Sequence, residues 1–172
     1  MKLIHTLVLS AFLLLVGTPS GQASVIVYNL ILGGNQSVPA NASTASGTAM
    51  VTVDDILNSV SVVLSFTGLS GNATAAHIHC CVATSANGPV VIPFTGFPSA
   101  TSGTYSNTFN GVSAANIAGI NAGLAYINIH NQTFPGGEIR GDIVATPEPA
   151  TVSLFGLGAL ILLGHARRRA KG

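Results

Sequence analysis

Ser59-Val60-Ser61-Val62-Val63-Leu64-Ser65-Phe66 alternates in character. Val60, Val62, Leu64 and Phe66 fall on one parity, and Ser59, Ser61 and Ser65 fall on the other. A period of two is that of a strand with one face buried and one in water; a helix would need apolar residues every three to four positions. The same period runs through Val25–Leu32, Thr48–Val53, Ala73–His79, Thr104–Phe109, Leu124–His130 and Glu138–Val144. Gly33-Gly34, Gly68, Gly71, Gly88-Pro89 and Pro135-Gly136-Gly137 punctuate these segments as turns. Short strands at this spacing predict an all-β domain, an antiparallel β-sandwich of Greek-key-like type. One short helix interrupts it, from Ala114 to Asn121, capped by Ser113 and ended by Gly123. The long connection from Cys81 to Ser102 holds one further apolar run, Val90-Val91-Ile92, read as a short edge strand.

The two ends are of another kind. Residues 1–23 read as a secretory signal peptide: Met1-Lys2 is basic, Leu7 to Val16 is apolar except for Ser10, and Gly21-Gln22-Ala23 offers the small residues that signal peptidase reads. Residues 146–172 form a three-part tail. Pro147-Glu148-Pro149 comes first, an apolar segment follows over 150–166, and Arg167-Arg168-Arg169 opens a basic end over 167–171. The apolar segment is at the short end of the roughly 17–25 residues that cross a bilayer, and the arginines would hold the cytoplasmic side. This tail resembles the PEP-CTERM signal of exported bacterial proteins. The resemblance implies a transmembrane sorting helix, transient passage through the inner membrane, processing by exosortase, and a final place in the envelope, on the surface or outside the cell. The other reading of the tail is a permanent single-pass anchor.

Between the ends lie about 120 residues, enough for one domain with one core, taken as 24–145. Arg140 is its only basic side chain, against Asp54, Asp55, Glu138 and Asp142, which leaves a net charge of −3. Nucleic acid requires a basic footprint and is excluded as a partner. No Gly-x-Ser-x-Gly, phosphate-binding glycine loop or His-Glu-x-x-His motif is present, so no catalytic residue is assigned. The four Asn-x-Ser/Thr triplets, at Asn35, Asn41, Asn72 and Asn131, follow from a composition rich in these residues.

Polar chemistry gathers on three segments. His77 and His79 share one parity; Tyr126, Asn128 and His130 share another; Glu138, Arg140 and Asp142 share a third, with isoleucines between them. If the three strands are neighbours, all three histidines of the domain meet on one surface. The last two strands are expected to form a hairpin across Asn131–Gly137. His77, His79 and His130 then make a candidate site for one copper or zinc ion, with Glu138 as a fourth ligand or an outer acceptor. The competing reading is a polar cluster of Asn128, Glu138, Arg140 and Asp142, in which Arg140 pairs with Glu138 or Asp142 and the histidines brace loops. Cys80-Cys81 follows directly. A vicinal disulfide, thiolate ligation of a metal, and bonds to another chain or free thiols all remain open for this pair. Adjacent Cα atoms sit closer than most disulfides require.

Several of these pieces together resemble the CHRD domain. They are Leu32-Gly33-Gly34-Asn35-Gln36-Ser37-Val38-Pro39, then Gly47, Ala75-Ala76-His77-Ile78-His79, Asn87-Gly88-Pro89-Val90-Val91, Ala125-Tyr126-Ile127-Asn128-Ile129-His130 and Pro135-Gly136-Gly137-Glu138-Ile139-Arg140-Gly141. The resemblance covers roughly residues 28 to 144. It implies an extracellular β-sandwich with a binding or structural role, meeting extracellular polysaccharide or surface proteins. A second resemblance is to Cu/Zn superoxide dismutase, which also carries His-x-His on a sandwich strand and an arginine near its C-terminus. It would give those parts to His77, His79 and Arg140, in a mononuclear and redox-active site. The binuclear site of that enzyme uses six histidines and an aspartate, and three histidines cannot build it.

Overall fold

The alternation at residues 59–66 becomes a strand, and every expected strand is formed. The computed structural model describes residues 25–145; the expected signal peptide over 1–23 and sorting tail over 146–172 lie outside the described residues. The elements are β1 (Val25–Gly33), a 3-10 turn (Gly34–Gln36), β2 (Ser46–Asp54), β3 (Ser59–Thr67), β4 (Ala73–Cys80), β5 (Val90–Pro93), β6 (Gly103–Asn110), α1 (Ala114–Asn121), β7 (Ala125–Asn131) and β8 (Ile139–Ile143). Among the described residues no helix is long and apolar enough to cross a membrane.

The strands join in the order β5-β4-β7-β8-β1-β2-β3-β6, antiparallel at every junction. β1, β2 and β3 form a meander in continuous register, from Val25 opposite Asp54 to Ser46 opposite Thr67. The chain then crosses to β4 and β5, returns to β6 beside β3, and crosses again to place β7 between β4 and β8. These crossings are the Greek-key feature expected. The sheet curls until its two edges nearly meet. Phe94, just after β5, stacks on Tyr105 and Phe109 of β6 at 5.0 and 5.7 Å between ring centroids. Tyr105 Oη donates to the carbonyl of Thr95 at 3.1 Å.

The core lies inside this curl. It takes Tyr28, Leu30 and Leu32 from β1, Val51 and Val53 from β2, Val60, Val62, Leu64 and Phe66 from β3, Ile78 from β4, Ile127 and Ile129 from β7, and Ile139 and Ile143 from β8. Each fully buried aliphatic side chain contributes roughly 1.5–3 kcal/mol relative to exposure. The helix closes the end of the curl with Ile117 and Ile120. Ser113 caps it as expected, accepting from Asn116 N at 3.2 Å, and Gly123 leaves it at φ 73°.

Candidate metal centre

The sheet order puts β4, β7 and β8 side by side, so the three polar parities merge into one outer face. Ala75 lies opposite His130, His77 opposite Asn128, and His79 opposite Tyr126. Asn128 lies opposite Arg140, and Tyr126 opposite Asp142. The β7–β8 hairpin forms as expected. His77 and His130 have ring centroids 5.1 Å apart, His77 and His79 5.5 Å, and His79 and His130 6.2 Å. One ring nitrogen from each can be chosen so that no two lie more than 4.8 Å apart.

Hydrogen bonds decide which nitrogens keep a free lone pair. His79 Nδ1–H donates to the carbonyl of Gly88 at 2.7 Å, which leaves the lone pair on Nε2. His130 Nδ1–H donates to the carbonyl of Pro135 at 2.8 Å, which again leaves Nε2. His79 Nε2 and His77 Nδ1 are both buried without a hydrogen-bond partner. Backbone carbonyls thus fix the tautomer and aim of two rings, as outer partners of metal-bound histidines do. Burial holds the His77 pKa down at about 4, helped by the neighbouring His130 and His79. Burial also lowers that of His130, with a smaller push from His79, against the stabilising carbonyl of Pro135. Near pH 7 both rings are neutral and able to donate lone pairs. A metal about 2.1 Å from each nitrogen sets tetrahedral donors about 3.4 Å apart, so a separation of 4.8 Å must close by about 1.4 Å.

Arg140 organises the cover over this face. It is 1% exposed. Its guanidinium carbon stands 3.5 Å from the centroid of the Tyr126 ring, and His79 stacks on the same ring at 4.8 Å. Since β7 runs between β4 and β8, Tyr126 separates the histidine from the guanidinium. Nε of Arg140 donates to Asp142 Oδ1 at 3.0 Å, Nη1 to the carbonyl of Ala86 at 3.0 Å, and Nη2 to that of Thr84 at 2.7 Å. Gly88 N donates to Tyr126 Oη at 3.0 Å. The segment 82–89 is therefore tied to the histidine face by its own backbone. Of the two pairings expected for Arg140, the one with Asp142 forms. A guanidinium committed in this way is not available to an incoming anion, so Arg140 does not take the part that the dismutase resemblance implied.

Two further expectations are resolved by geometry. Glu138 does not join the histidines. It is fully buried and accepts from Ser43 Oγ at 2.6 Å, Ser70 N at 2.9 Å, Ser70 Oγ at 3.1 Å and Asn131 Nδ2. It ties together the β1–β2, β3–β4 and β7–β8 connections. The strand parity that put it beside Arg140 begins only at Ile139, two residues after Gly137 turns the chain at φ 114°. Cys80 and Cys81 form a vicinal disulfide, so neither sulfur is a thiolate and neither stands among the converged nitrogens. Cys81 has φ 74°. Helix α1 presses Gly119 onto the pair so closely that a Cβ there would lie 2.5 Å from both sulfurs.

Sequence reasoning missed the carbonyls of Gly88 and Pro135 and the role of segment 82–89. The only signal for them was the Gly-Pro and Pro-Gly punctuation beside each histidine strand.

Comparison with known proteins places two parts of the chain. No curated protein and no solved structure was found to match the chain. Residues 145–169 match the PEP-CTERM protein-sorting motif, which marks proteins exported to the cell envelope or surface through exosortase. Residues 28–143, containing every strand-borne histidine and the whole of its cover, match the CHRD domain. The chain belongs to the CHRD domain family.

Proposed function

We propose that this exported domain binds one copper or zinc ion through His77 Nδ1, His79 Nε2 and His130 Nε2, and acts at the cell surface as a metal-binding module. The observation that supports it is the pair of buried, partnerless nitrogens on His77 and His79. A buried polar atom without a partner costs about 1–3 kcal/mol. Two of them facing a third imidazole, with ligand atoms no more than 4.8 Å apart, make that cost recoverable by a cation that draws them together. Three neutral imidazoles suit both metals, and copper(II) is the tighter by the general order of divalent affinities. Elemental mass spectrometry on the chain purified from the periplasm without chelator tests this. The expected result is one equivalent of metal, lost in His77→Ala and in His79→Ala, with affinity down by at least about 100-fold. Metal-free protein that cannot be loaded overturns it.

A second reading rests on a different surface. Val27, Ile31, Met50 and Val63 are exposed on the outer side of β1–β2–β3. That face suits an adhesive or matrix role against extracellular polysaccharide or surface proteins, with no metal involved. It predicts that His77→Ala changes stability only.

A further inference from the structure

We propose that Asn128 supplies the fourth ligand through Oδ1 and closes the metal site; this rests on the reading of the three histidines as a metal centre. Asn128 is 4% exposed and sits mid-strand on β7, opposite His77 on one side and Arg140 on the other. Its Oδ1 lies 2.9 Å from His130 Nε2. The carbonyl of Pro135 already takes the proton on His130 Nδ1. A neutral imidazole has one N–H, so Nε2 turns a lone pair toward the lone pairs of Oδ1. That is two acceptors facing each other in a buried place.

Turning the amide over would let Nδ2 donate to Nε2, at the expense of the contact at the other end of the amide. Nδ2 of Asn128 points at the carbonyl of Gly136 at 3.5 Å, and a flip would set Oδ1 against that carbonyl instead. The backbone also wedges the amide from below. A Cβ on Gly137 would come within 2.8 Å of Nδ2, so only glycine leaves the amide its room.

A cation resolves both atoms at once. Two donors about 2.05 Å from one metal stand about 2.9 Å apart at a right angle and about 3.4 Å apart at a tetrahedral one. The observed separation is already a bite distance. Carboxylates do not compete for the position, since Asp142 is held by Arg140 and Glu138 is enclosed by Ser43, Ser70 and Asn131. Three nitrogens and an amide oxygen fill four positions, which makes the centre a closed holding site and leaves no position for water.

The test is copper(II) loading of the full chain, followed by titration against a competing chelator, water-proton relaxivity and azide addition. The native protein is expected to take one copper, show low relaxivity and give no azide band. Asn128→Ala and Asn128→Ser should still take one copper, but about 10-fold more weakly, with higher relaxivity and an azide band as solvent enters the vacated position. If the native protein takes no copper, both the metal reading and this inference fall. If it takes one copper and already shows high relaxivity and an azide band, the metal reading stands and the assignment of Asn128 falls. The same holds if the variants match the native protein in affinity and spectrum. The measurement on native protein decides the matter even if neither variant folds.

Discussion

The two halves of this sheet follow the same rule inside and opposite rules outside. On β1–β2–β3 the inward residues are aliphatic and aromatic, and the outward ones are Thr48, Thr52, Ser61 and Ser65 with exposed Val27, Ile31, Met50 and Val63. Nothing covers that side in the described residues, and Ile31 is 73% exposed. On β4–β7–β8 the inward residues are again isoleucines, yet the outward His79, Tyr126, Asn128 and Arg140 are buried as well, with His77 and His130 half-buried beside them. Segment 82–89 lies over them, held by Arg140, Tyr126 and His79. A strand buried on one side needs only alternation. A strand buried on both sides, with polar groups on the second, must satisfy every one of them, and the exceptions here are the nitrogens of His77 and His79. This contrast underlies the metal proposal: the open half meets solvent, whereas the covered half leaves two buried nitrogens without a partner.

Removing the clamp breaks the comparison most severely. Arg140→Met leaves Asp142 and the carbonyls of Thr84 and Ala86 without their donor. Loss of one partner of a buried pair costs about 3–5 kcal/mol, seen as a lower denaturant midpoint. Limited proteolysis should then cut first within 82–89, whereas β1–β2–β3 stays protected until global unfolding. Equal protection of that segment in the variant would mean that Arg140 is not what holds the cover.

Glu138→Ala is next, at about 2–3 kcal/mol, because Ser43, Ser70 and Asn131 lose a common buried acceptor. It sharpens the comparison by separating loop bracing from the histidine face: metal content should be unchanged while the denaturant midpoint falls. Loss of metal in this variant would return Glu138 to the site.

Much of this architecture is legible in the amino-acid sequence. Alternation marks the strands because a half-buried strand has no other way to write itself, and Ser113 and Gly123 mark the helix ends. The gathering of His77, His79 and His130 depends on one condition, that β7 lies beside β4, and a crossing connection satisfies it. What the sequence does not display is carried by backbone. The carbonyls of Gly88, Pro135, Thr84 and Ala86 aim the rings and hold the guanidinium, and a carbonyl has the same signature at every position. Glu138 departs from its expected place because strand parity does not extend through Gly137, where the chain is still turning.

Acid should separate the two faces more gently. The folded His77 pKa is about 4, below the ordinary value near 6.5. The unfolded chain therefore takes up its proton first, and the unfolded state binds more protons between those values. Stability of the metal-free protein is full above about pH 6.5, falls as pH drops toward about 4, and levels below that. Burial moves His130 in the same direction. Urea midpoints measured across that window should slope for the native chain and slope less in His77→Gln, where His130 still contributes. A native profile that is flat would mean that the ring takes up protons as freely folded as unfolded.

The smallest effect belongs to the open face, and it tests the contrast from its quiet side. Ile31→Thr and Val63→Thr each change an outward residue with solvent above it. Threonine keeps the branched Cβ that suits a strand, and neither position lies among the inward residues that fill the core. Each substitution should shift stability by no more than about 0.5 kcal/mol and leave metal content untouched. Replacement at His79, on the other half and of the same outward parity, should remove the metal. A large loss of stability from Ile31→Thr would show that this face is packed against something in the purified protein, and the two halves would then differ in what covers them, no longer in whether they are covered.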